Sequence, residues 1–187
     1  MKGKISETVE KLKDVSKKIE VAQKLQPCPA CKEDMQILNR FLEEKIASLE
    51  RGGERPNPVE LEKIDYINEV VRIAMASTKV VGPLVKIIGI TPPPIYEKTL
   101  RESLAANRQI KSLLIEAKRE LEDLKDKDRD FGKIYGLLES HIAATKFKLE
   151  IDPELFYVYD KIIRLGYKTH LLSLTGKVIT RMKSVMR

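Results

Sequence analysis

Both cysteines of this 187-residue chain fall in one pentapeptide, Pro27-Cys28-Pro29-Ala30-Cys31. Two thiolates separated by two residues reach one metal ion from a single turn, which makes Cys28 and Cys31 the candidate metal ligands. A closed structural zinc site needs four ligands, and a second CxxC is absent from the chain. Several readings of the pair therefore stay open. Two chains can share one zinc, each giving two thiolates. The thiols can staple the turn as a pair or a disulfide, as intracellular hyperthermophile proteins do. His141 and His170 can complete a one-chain site, or the turn can be inert. A thioredoxin-like redox pair belongs between a strand and a helix, and no strand is predicted here.

Two helical arms hold this turn. Ile5, Val9, Leu12, Val15, Ile19 and Ala22 recur every three or four residues, with charged residues between them, and this predicts an amphipathic helix ending near Leu25. Met35, Leu38, Leu42, Ile46 and Leu49 repeat the spacing, and Gly52-Gly53 stops it. Arms of similar length joined by a tight turn fold back antiparallel, roughly 30 Å from base to tip by the helical rise. A CPxC at the apex of such a hairpin resembles the zinc hook of the coiled-coil ATPases of double-strand-break repair. The resemblance covers residues 5 to 50 and rests on Cys28, Pro29 and Cys31. Lys32 stands where a Gly commonly follows the hook, and the ATPase segments have no counterpart. The resemblance implies a dimer clip with a shared Zn2+ and nothing about ATP hydrolysis.

A second candidate lies at the other end. Residues 161–187 contain seven basic residues, Lys161, Arg164, Lys168, Lys177, Arg181, Lys183 and Arg187, and no Asp or Glu. Residues 131–187 hold 10 basic against 5 acidic groups, so most of the net charge of +7 sits there. A final helix over 168–186 is predicted to place Leu171, Leu174, Val178, Met182 and Val185 on one face. Lys177, Arg181 and Arg187 then share the other face with serine and threonine. These residue types contact phosphate oxygens, and an asymmetric charge attracts phosphate polymers or acidic protein surfaces. Lys168, Lys177, Arg181, Lys183 and Arg187 are the candidate nucleic-acid-binding residues. The plainer reading is that they complement a helix C-terminus and keep the chain soluble.

Between these ends the pattern is helical throughout. Asn57-Pro58 with Glu60 and Glu62 starts a helix expected over 58–81, apolar enough from Leu61 to Met75 to be a central core helix. Gly82-Pro83 is expected to break it, leaving a short helix over 84–90 before Pro92-Pro93-Pro94. A helix of about thirty residues follows, then a mixed-sign run, Lys125 to Asp130, read as a solvated turn. Helices are predicted at about 131–149 and 153–165. The fold class is all-α: a hairpin over 1–51 on a multi-helix bundle over 57–187.

Charged residues make up 34% of the chain and only 8 side chains are Asn or Gln, the leaning of heat-adapted proteins. No apolar run approaches the ~20 residues of a membrane span. The charged start, Met1-Lys2-Gly3-Lys4, does not read as a secretion signal, which places the protein in the cytoplasm. Phosphate-binding loops, HExxH, nucleophile elbows and paired ExxH motifs are all absent from the sequence. The expectation is a non-catalytic, nucleic-acid-associated protein that self-associates or docks through its hairpin and grips phosphate backbone with little sequence preference. An assembly subunit meeting an acidic protein surface is the alternative, and a helical enzyme or thiol redox protein a further one.

Overall fold

The computed structural model describes residues 2–26, 29–51, 58–89, 91–166 and 168. All regular structure among them is helical: α1 (Lys2–Leu25), α2 (Pro29–Arg51), α3 (Pro58–Ile88), α4 (Pro94–Glu120), α5 (Arg129–Glu150) and α6 (153–166). This is the all-α bundle that the apolar periodicity predicts. Among the described residues no helix is long and apolar enough to cross a membrane.

Polar pairs across the seams fix the arrangement. Ser16 Oγ donates to Asn39 Oδ1 at 2.7 Å, and Lys13 Nζ lies 3.0 Å from Glu50 Oε1, so α1 and α2 are antiparallel. Lys11 reaches Asp123 at 3.4 Å, just beyond α4, and Lys118 of α4 reaches Glu139 of α5 at 2.7 Å. Lys133 of α5 meets Asp65 of α3 at 2.5 Å, while Lys79 lies over the Phe147 ring further along, so α3 and α5 run parallel. With α2 also touching α3, the five helices close a ring in the order α2, α1, α4, α5, α3. The hairpin is thus a wall of the bundle, not a projecting arm.

One continuous core fills the ring, from Leu12 and Ile19 through Leu38, Phe41, Ile64, Ile110 and Leu114 to Ile134 and Leu137. Such burial is the main term stabilising the fold, at ~25 cal/mol per Å² of apolar surface. α6 lies on the outside of α3, antiparallel to it. A Cβ on Gly82 would strike Leu155, one on Gly166 would strike Val70, and the Tyr66 hydroxyl donates to the Gly166 carbonyl at 2.7 Å.

α3 departs from the expected break at Gly82-Pro83 and runs unbroken to Ile88. A proline removes one backbone donor, and here it stands on an exposed position. Gly82 and Val85 are meanwhile buried, which holds the turn helical on its inner side. The helix ends instead at Gly89, whose φ of +70° is the left-handed conformation that closes helices. Nor is α3 central. Ile64, Ile67, Val70, Val71 and Ala74 face the core, but Ile73 is half-exposed, and its last turns carry further apolar side chains to solvent. The side chain of Leu61 lies outside the described residues.

Candidate functional site: the buried end of the hairpin and the basic end of the chain

Cys28 lies outside the described residues. Cys31, on the first turn of α2, is 6% exposed, and its Sγ accepts from Lys148 Nζ of α5 at 3.8 Å. Lys148 is itself 3% exposed. A lysine this deep in the core is rare, and an ammonium beside the sulfur repels a second cation. Among the described residues, no group of three or more His, Cys, Asp or Glu side chains stands in metal-binding proximity.

Other buried polar groups lie at this end of the bundle. Gln26 and Asp34 are buried beside the turn. The registers set by Lys11–Asp123 and Lys118–Glu139 bring Asn107 of α4 to the same end of the bundle. Asn107 is fully buried, and neither Oδ1 nor Nδ2 has a hydrogen-bond partner. One and two turns before Lys148 stand Thr145, whose hydroxyl donates to the His141 carbonyl at 2.7 Å, and His141, whose Nε2 has no partner. Burial, with a smaller contribution from the Lys148 charge, lowers the His141 pKa from 6.5 to about 4. The ring is therefore neutral at physiological pH, and it cannot exchange protons near neutrality as a general acid or base does.

Sequence reasoning found Cys31 but neither Lys148 nor the buried Asn107. Lys148 and Asn107 fall on inward positions of their helices, where the three-and-four spacing calls for an apolar residue. Leu100, Ser103, Asn107, Ile110 and Leu114 keep that spacing without a gap, and a polar residue in such a run is the signal. His141, read in the sequence as a candidate ligand of a one-chain site, is a core histidine. His170 lies outside the described residues.

A second buried charge anchors the opposite end. Lys45 of α2 is buried, and its ammonium lies 2.5 Å from Asp128 and 2.8 Å from Asp130. Burial pushes its pKa down, but the hydrogen bonds to the two carboxylates outweigh that and leave it raised. Asp128 also caps α5, accepting from the Asp130 backbone N–H at 2.9 Å. The charge run expected to be wholly solvated thus holds a helix cap and the counter-ions of an interior lysine.

At the basic end, α6 buries Phe156, Tyr159 and Ile163 and exposes Lys161 and Arg164 on its outer side, with Lys168 exposed just beyond. Arg164 Nε is held 2.8 Å from the buried Asp160 carboxylate, and Lys161 lies over the Tyr157 ring. Lys177, Arg181, Lys183 and Arg187, with all of residues 169–187, lie outside the described residues. Two surface depressions are lined by Val85, Lys86, Gly89 and Asp152, and by Lys11, Asp123 and Lys127; neither includes Cys31, His141 or Asn107. Comparison with protein-family models, curated proteins and solved structures finds no match to this chain.

Proposed function

We propose that the protein is a non-catalytic, nucleic-acid-associated helical protein whose basic end lies along a phosphate backbone. The observation that carries this reading is the placement of Lys161, Arg164 and Lys168 on the solvent side of the chain, at the start of an acid-free run that continues to Arg187. Cations at spacings of three and four on one helical side match a ladder of phosphates without reading bases, so low sequence preference is expected. The buried groups nearest to an active-site arrangement, Cys31, Lys148 and His141, sit in the interior, where they act as packing residues.

The test is fluorescence anisotropy with duplex and single-stranded oligonucleotides over a salt series. The logarithm of affinity should fall linearly with the logarithm of salt, by roughly 0.7–0.9 per phosphate neutralised. Changing Lys168, Lys177, Arg181 and Arg187 to Gln should lower that slope by roughly three and leave the circular dichroism spectrum unchanged. Absence of binding at low salt by the unaltered protein refutes the reading. A protein-assembly role is the second reading, favoured by the apolar outer side of α3.

A further inference from the structure

The second half of α3 presents to solvent a stripe that this chain leaves uncovered among the described residues. Ile73 is 46% exposed, Val80 73%, Leu84 55%, Ile87 81% and Ile88 71%, with Val81 alongside them. A soluble helix normally carries charge on its outer side. Ile73, Ser77, Val80, Leu84 and Ile87 instead alternate four and three residues apart, the spacing of a seam that receives another helix, over roughly 21 Å of axis.

The inner side of the same segment is accounted for: Thr78 and Val85 are buried, and Gly82 admits Leu155 of α6. The charges are accounted for as well. From Ile73 to Ile88 only Lys79 and Lys86 are charged. Lys79 lies over the Phe147 ring, and Lys86 pairs with Asp152, so both are drawn onto the chain's own surface and away from the stripe. The outer side has no charge with which to select an acidic or basic partner.

The geometry points to a second copy of this chain as the occupant, with α3 packed against α3 about a two-fold axis. A two-fold contact joins a patch to itself, so it requires a surface free of like charge, and the stripe meets that requirement. At these exposures the six aliphatic side chains present roughly 400–500 Å² per copy, the size of patch that marks an interaction site on a monomer. Two such faces, with the Ala76, Ser77 and Pro83 surface between the large side chains, bury about 1,000 Å², which is what a specific interface needs. This contact is separate from the hairpin tip and does not depend on the nucleic-acid reading.

Sedimentation equilibrium on nuclease-treated, full-length protein over roughly 1–100 μM tests it. The unaltered chain should sediment as a dimer. The Val80→Glu/Ile87→Glu chain should be a monomer with the circular dichroism spectrum of the unaltered chain and a melting temperature that, unlike the unaltered chain's, does not rise with protein concentration, its dissociation constant raised by ~100-fold or more. Mixing it with a Val80→Lys/Ile87→Lys chain should restore the dimer, which separates a repelled interface from a failed fold. Four results overturn the inference. An unaltered chain that is a monomer at every concentration refutes it. So does a dimer that persists in the Glu variant, or one lost only when zinc or the Cys28 and Cys31 thiols are removed. So does a melting temperature that is independent of concentration in the unaltered chain yet falls in the Glu variant, which assigns the cover of the stripe to the same chain.

Discussion

His141 makes the stability of this protein depend on pH below neutrality. The ring is fully buried, and its pKa falls from 6.5 in an exposed chain to about 4 in the fold, chiefly through burial and secondarily through Lys148. Because the folded-state value is the lower one, the unfolded chain binds a proton first as pH falls. Stability is therefore complete above about 6.5 and is lost as pH drops toward 4. At ~1.4 kcal/mol per pKa unit, the gap corresponds to a loss of about 3 kcal/mol, a large part of the total for a domain of this size. Urea unfolding at pH 7, 5 and 4 should show that loss, and His141→Gln, neutral throughout, should lack it. The carboxylates titrate alike in both chains and cancel in the difference. Should the variant not fold, the imidazole NMR signals of the unaltered protein give the same answer: His141 should not titrate above pH 5, with His170→Gln identifying the other ring. Equal pH dependence in the two chains, or a His141 signal titrating near 6.5, refutes the reasoning.

Other expectations follow from burial and pairing. Lys45→Met keeps the packed stem but leaves Asp128 and Asp130 facing each other, and should cost roughly 2 kcal/mol in urea unfolding, discounted from a fully buried pair because Asp128 is partly solvated. The pKa of Lys45 is raised, so its contribution is present below about 10.5 and should disappear from the unaltered protein at higher pH. Ile67→Ala and Val71→Ala should each destabilise by roughly 1–4 kcal/mol, since both side chains are buried, while Ile73→Ala, half-exposed, should cost under about 1 kcal/mol in the monomer. Equal costs at all three positions would show that α3 buries its whole circumference.

The helices were legible because their signals are local. Apolar spacing located α1 and α2, and the charged run after α4 marked a turn. What the sequence concealed were pairings between distant residues. Lys45 and Asp130 look like two surface charges until the ring brings α2 to the start of α5, and nothing near Cys31 points to Lys148. The apolar excess of α3 was legible, but its side was not. Composition alone cannot distinguish a residue such as Val71, which enters the core, from Val80, which faces outward. Pro83 misled for a related reason: its effect on a helix depends on whether the lost bond is solvated and whether neighbours such as Gly82 and Val85 are anchored.

The closed ring has a kinetic consequence. Neighbours along the chain form most seams, α1 with α2 and α4 with α5, and these assemble early because little chain must be ordered to join them. The seam marked by Lys11 and Asp123 joins residues more than a hundred positions apart and closes last, after both sides are in place. Once it closes, α1 cannot peel away without opening the core on both of its flanks. Its amide hydrogens should then exchange with deuterium only as slowly as those of α5, where a freely projecting hairpin would exchange through local opening alone.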